Sequence, residues 1–223
     1  MKALTRKTTR TARIEHWHPY AWQAQSLLLA YPDEQFEQSL TLAGRVAATL
    51  PEPVAHPLLR FTAHAEQTAT ADLATAYVAT FDHRKRCCPY LTYYAHGDTR
   101  KRGLALLRLK QTYAAAGWRL GDDELPDHLA VVLEFAATDP EAGRGLLTEH
   151  RAGLELLRLA LTDDGSPWAH VLDSVSATLP ALAGDDREAV MRLAAQGPPE
   201  EQVCLDPYAS PVFLPDPVVG GPR

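Results

Sequence analysis

The run Leu129-Ala130-Val131-Val132-Leu133-Glu134-Phe135-Ala136-Ala137, entered through Glu124-Leu125-Pro126-Asp127-His128, decides how this chain folds. At helical spacing it is apolar on nearly every side, and such a helix has to be enclosed by other elements. Pro126 breaks what precedes it, and Asp127 is the expected N-cap, since a short side-chain oxygen there can accept from the first turn. The pattern on either side repeats helix, short break, helix, with leucine and alanine dominant and isoleucine only at Ile14. Strand formers never alternate for long. The expectation is therefore all-α: a single-domain helical bundle of about eight to ten helices.

Upstream, helices are expected at 20–30, stopped by Tyr31-Pro32, and from Asp33 as N-cap through Leu50 before Pro51. A third spans 58–70, and a fourth carries Leu73, Tyr77, Val78 and Phe81 on one stripe. Pro89 ends that helix near Cys87-Cys88, and a short helix restarts at Pro89, carrying Tyr90, Leu91, Tyr93 and Tyr94 to a C-terminal cap at Gly97. Asp98 then caps a long helix over 99–116 with Leu106, Leu109 and Tyr113 inward. Helices over 141–161, 167–179 and 186–196 complete the set. The division is a flexible basic arm at 1–18, a helical domain at 19–197 and an extended Pro-rich tail at 198–223.

Composition narrows the classes. With 223 residues and 46% hydrophobic content, the chain can bury a sizeable core without disulfides or metal. No apolar run reaches the roughly 18 to 20 residues that would cross a bilayer. A net charge of −6 opposes a broad cationic footprint for nucleic acid and favours a basic partner. Three cysteines, two of them adjacent, suit a reducing cytoplasm rather than a secreted framework. The nine histidines show no metalloprotease spacing, and no nucleophile elbow, P-loop or dinucleotide turn is present, so neither catalysis, metal nor a stably bound cofactor is expected.

Unusual chemistry gathers between Tyr77 and Ala136. Arg100 and Arg102 fall in the first turn of a helix, where the macrodipole disfavours cations, so each needs a carboxylate or an anionic partner. Glu134, alone among apolar neighbours, and Asp82 are the candidates for such pairing. Tyrosines at helical spacing fit either a core with satisfied hydroxyls or the wall of a groove.

These residues resemble the NarJ-type nitrate reductase assembly chaperones, also called the delta subunit, within the TorD-like group. The resemblance lies in Tyr77-Val78 with Thr80-Phe81-Asp82, Arg84-Lys85-Arg86-Cys87, Tyr90-Leu91-Thr92-Tyr93-Tyr94, His96-Gly97-Asp98-Thr99-Arg100-Lys101-Arg102-Gly103, Tyr113 with Ala116-Gly117, and Glu124-Leu125-Pro126-Asp127-His128-Leu129. It extends more weakly over 20–205. It implies a cytoplasmic, non-enzymatic chaperone that binds the N-terminal leader of the nitrate reductase catalytic subunit. That subunit is kept receptive to molybdenum cofactor insertion and membrane docking, and the proteins that make the cofactor are further partners.

A basic amphipathic leader suits a groove between helices with acidic rims. Tyr90, Leu91, Tyr94, His96 and Asp98 are expected along that groove, with Glu124 and Asp127 at its rim. Asp82, Arg84, Arg100, Arg102 and Glu134 are assigned to ion pairs that shape it. The alternative class is an all-helical ligand-sensing transcriptional regulator. It is disfavoured because the basic arm leads into His16-Trp17-His18-Pro19 rather than a helix-turn-helix.

Overall fold

The computed structural model describes residues 13–121, 124–182 and 184–196. Most of the expected N-terminal arm (1–12) and the Pro-rich tail lie outside the described residues. Helices run as α1 (His18–Leu29), α2 (Phe36–Ala47), α3 (Glu52–Glu66) and α4 (Thr70–Phe81). A 3-10 turn at Lys85–Cys87 leads to α5 (Leu91–His96) and α6 (Arg100–Ala115). Then follow α7 (Leu129–Thr138), α8 (Pro140–Glu149), α9 (Arg151–Asp163), α10 (Trp168–Ala177) and α11 (Gly184–Gln196). The architecture is all-α, as expected; the described residues hold no strand, only an isolated antiparallel bridge between Tyr90 and His128.

The central role of α7 follows from its sequence. Val132, Leu133, Phe135 and Ala136 are completely enclosed, with α1 along one side and α8 along another. Burying the valine, leucine and phenylalanine contributes roughly 1.5–3 kcal/mol each. Polar handles then set the register: Ser26 donates to the Ala130 carbonyl (2.7 Å), Gln25 to Ser174 (2.8 Å), and Ser174 to the Val54 carbonyl (2.9 Å), linking α1, α7, α10 and α3. Trp22 and Trp168 are wholly buried, and each indole N–H finds an acceptor, Thr178 Oγ1 and the Leu28 carbonyl respectively. Buried indoles without such partners would forfeit part of their packing gain.

Two sequence expectations need correction here. The segment read as one helix over 141–161 divides at His150, which leaves helical geometry at ψ 18°. The break separates α8, which packs on α7, from α9, which packs on α5, α10 and α11. Gly143 brings α8 so close to α7 that a Cβ there would stand 2.2 Å from Ala136 Cα, while a Cβ at Gly153 of α9 would meet Tyr94 of α5 at 2.9 Å. The third helix starts at Glu52 rather than residue 58 and runs through Pro57. Pro53, at the second helical position, costs little because an amide donor there has no intrahelical acceptor, whereas Pro57 lies inside the helix and gives up one helical hydrogen bond.

Candidate partner-binding groove

A groove of about 470 Å³ opens between α1, α4 and α7, closed at one end by the loop before α7. Its aromatic lining comes from Tyr31, just past α1, Tyr77 of α4 and Tyr90. Tyr31 is 52% exposed and stands edge-on to Tyr77, with ring centres 5.6 Å apart. Tyr77 is anchored: its hydroxyl donates to the Leu29 carbonyl, and its ring packs against Phe81 and Trp168 of the core. The groove floor is thus continuous with the hydrophobic interior. Leu27, Leu125 and Val131 add aliphatic surface.

Tyr90 is held by backbone and side chain together. Leu91 N–H donates to the Asp127 carbonyl and Leu129 N–H to the Pro89 carbonyl, both at 2.9 Å, stitching the two segments into a short antiparallel seam. Pro89 therefore lies in this seam, and α5 starts only at Leu91, correcting the expected restart at Pro89. The Tyr90 ring meets His128 edge-on at 5.3 Å, and the Arg102 guanidinium lies 5.5 Å from its centre.

Asp127 is not an N-cap and not a rim residue. It is fully buried; Thr92 donates to one carboxylate oxygen and Arg102 lies 3.4 Å from the same oxygen. Its second oxygen is buried with no hydrogen-bond partner among the described residues. His128 caps α7 instead, its Nδ1 accepting from Ala130 N–H at 3.2 Å. Burial holds the His128 imidazole below its ordinary pKa, which keeps the ring neutral and able to accept.

Asp98 likewise does not cap α6; Thr99 occupies that position and Asp98 pairs with Arg102 at 3.1 Å. Arg102 therefore joins Asp98 and Asp127, not Glu134 or Asp82. Arg84 and Arg86 both reach Asp164, while Asp82 is exposed at the end of α4. Arg100 is exposed in the first turn of α6.

Of the seven residues expected at the groove, Tyr90 and Glu124 line it. Leu91 and Tyr94 are core residues, 1% and 5% exposed, and the Tyr94 hydroxyl donates to the Arg86 and Cys88 carbonyls. Gly153 is why Tyr94 fits inside: without a Cβ, α9 can lie against its ring. His96 and Asp98 sit at the α5–α6 corner and do not line the groove.

Glu134 moves the other way. Assigned from sequence to an ion pair, it is exposed and faces the groove opposite no basic lining residue other than His128. Partial desolvation against the groove wall raises its carboxyl pKa, and the charge of Glu124 raises it further. Two carboxylates close enough to oppose each other's ionisation form a site that a cation would relieve. Sequence reasoning missed Tyr31, read only as a helix stop, and placed Tyr77 in the core, where most of its ring does lie.

Among the described residues no cluster of three His, Cys, Asp or Glu could hold a metal ion. Burial raises the pKa of both Cys87 and Cys88, favouring inert thiols. No described helix is long and apolar enough to cross a membrane.

These features describe a protein that is all-helical among the described residues and carries an acidic, aromatic groove beside α7. The fold is shared with a solved structure from Archaeoglobus fulgidus described as a redox enzyme maturation protein, with TM-score 0.53 and 22% identity over 84% of this chain and 99% of that one. Residues 47–173 match the family described as the nitrate reductase delta subunit, and the chain belongs to that family.

Relatives include the nitrate reductase-like protein NarX of Mycobacterium tuberculosis H37Rv, 42% identical over 163 residues, covering 73% of this chain. The match spans 24% of NarX, so the chain corresponds to about a quarter of that protein's length. The Bacillus subtilis protein named nitrate reductase molybdenum cofactor assembly chaperone NarJ is 33% identical over 71% of this chain and 87% of its own. The like-named Escherichia coli K12 protein is 33% identical over 52% and 51% respectively.

Proposed function

We propose that this chain is an assembly chaperone of respiratory nitrate reductase and not an enzyme. Its groove receives the basic, amphipathic N-terminal leader of the catalytic subunit, holding that subunit ready for molybdenum cofactor insertion and membrane docking. The chain acts in the cytoplasm, holds no cofactor of its own, and works beside the proteins that supply the cofactor.

The observation that carries this reading is the pairing of Glu124 and Glu134 with a floor of Tyr31, Tyr77 and Tyr90 in one groove. A helix laid there buries its apolar side on the rings while its cations meet the carboxylates. The relatives named as assembly chaperones support the same direction.

Titration calorimetry with the synthetic leader of the cognate catalytic subunit is the test. Binding at micromolar Kd or tighter is expected, equivalent to about −8 kcal/mol or better. No heat, and no displacement of a labelled leader at high concentration, would remove the reading.

A further inference from the structure

We propose that the outer face of α6 is a peripheral docking surface for an anionic lipid membrane. The helix carries Arg100, Lys101, Arg102, Arg108 and Lys110 and no acidic residue, in a chain whose net charge is −6. Cations are therefore concentrated on one helix of an otherwise acidic molecule.

The inner face of α6 is occupied. Leu109 and Tyr113 are buried, the Tyr113 hydroxyl donates to the Pro126 carbonyl, and Arg102 turns to Asp127 and the Tyr90 ring. The opposite face is bare. Leu104 is 62% exposed and Leu107 51%, and Lys101, Arg108 and Lys110 are exposed around them.

Helical periodicity arranges these residues in a definite order. Leu104, Leu107 and Gln111 fall on one line, with Lys101 and Arg108 to one side and Lys110 to the other. Leu104 and Leu107 are more exposed than any other leucine among the described residues, they adjoin on the helix surface, and cations flank them on both sides.

That order fits the boundary of an anionic bilayer. Leucines enter the headgroup region while the long lysine and arginine stems lie along it and their charged ends meet phosphates. An acidic protein would also satisfy the charge. A convex helix face with cations on both flanks suits a flat lipid surface better, because a protein partner would need a matching concavity.

The placement is compatible with the groove. Because α6 lies behind the seam that presents Tyr90, its leucine face points away from the groove, and attachment to lipid leaves the groove open. The proposal rests on the exposure and charge of α6 and stands whether or not the groove takes a leader peptide.

The test is co-sedimentation of the full chain with phosphatidylcholine vesicles, with and without phosphatidylglycerol, at low and raised salt. Binding is expected only where phosphatidylglycerol is present, and it should weaken as salt rises. The combined variant Lys101→Glu, Arg108→Glu, Lys110→Glu should lower partitioning at least about tenfold. Leu104→Ser with Leu107→Ser should lower it about tenfold at raised salt, where the apolar contribution dominates.

All five positions are exposed, so melting curves should match the parent and confirm folding. Residues 1–12 are also basic, and a chain lacking them should retain the same dependence on α6. No sedimentation with phosphatidylglycerol vesicles would overturn the proposal, as would a charge variant that sediments like the parent. Binding to polyglutamate without binding to vesicles would overturn it too, assigning the face to an acidic protein.

Discussion

The Arg102 guanidinium lies 5.5 Å from the centre of the Tyr90 ring, so the residue that pairs with buried Asp127 also backs the groove wall. One cation links a fully enclosed carboxylate to an aromatic ring that a partner can touch. Stability and recognition are coupled at this point, and a change at Arg102 should register in both.

Arg102→Ala should destabilise the chain by about 2–3 kcal/mol, because Asp127 would remain buried with only Thr92 to balance it. The value is set below that for a wholly enclosed pair because Arg102 keeps 18% of its side chain exposed. Arg102→Lys should recover part of the loss, returning the charge but not the forked reach to Asp98 and Asp127 together. Urea midpoints check both. Unchanged midpoints would mean that Asp127 is neutralised some other way.

Gly143 and Gly145 sit on the same helix in opposite environments. A Cβ at Gly143 would collide with Ala136 backbone atoms, whereas nothing lies within 4 Å of one at Gly145. Gly143→Ala should cost about 1–3 kcal/mol or more through overpacking of α7 against α8. Gly145→Ala should stabilise by roughly 0.5–1 kcal/mol, since glycine is the poorer helix former. Thermal melts of the two variants should shift in opposite directions.

Helix content and the enclosed position of α7 were legible because apolar periodicity is a local property of the chain. Misread positions share a cause: a distant residue outweighed a local preference. Asp127 has the side chain of an N-cap, yet Thr92 and Arg102 draw it inward and leave capping to His128. Tyr94 could have been a groove wall, but Gly153, far along the chain, makes room to bury it. Arg84 had Asp82 beside it and pairs with Asp164 instead. Glu124 and Tyr90 were readable as groove residues because each stands beside a proline break, although Pro89 and Pro126 are themselves buried. Tyr31 carried no such signal; only the packing of its ring on Tyr77 reveals it.

Stability should fall as pH drops below about 6.5, and the sign follows from the histidines. Burial holds His18, His128, His150 and His170 below their ordinary value of 6.5. The unfolded chain therefore takes up protons first as pH falls through that value, which draws the equilibrium toward unfolding. Glu155 acts at lower pH. Burial alone would raise its carboxyl, but hydrogen bonds from Arg158 and Ser176 and the charge of Arg151 hold it below 4.5. Its contribution is present above 4.5 and is lost as pH falls through the folded value. Denaturant midpoints measured from neutral pH downward should decline, and His128→Asn, which keeps a capping oxygen for Ala130 N–H but cannot titrate, should flatten the first part of the decline. A flat profile between neutrality and pH about 5 would contradict this account.

Glu124 and Glu134 should set the affinity of the groove for a basic leader, and their contribution should be electrostatic. Both side chains are solvent-accessible, so each ion pair with a lysine or arginine of the peptide is worth only about 0.2–1 kcal/mol, or at most about fivefold in Kd. Glu124→Gln with Glu134→Gln should therefore weaken leader binding by up to about thirtyfold and flatten its dependence on salt. Tyr90→Ala should weaken binding without changing the salt slope, because the ring contributes apolar contact rather than charge. A peptide with its cations replaced by glutamine separates the two effects: it should bind the parent and the double variant alike. Equal affinity of parent and double variant for the unmodified leader, at low salt, would remove the carboxylate pair from recognition and leave the aromatic floor to account for it.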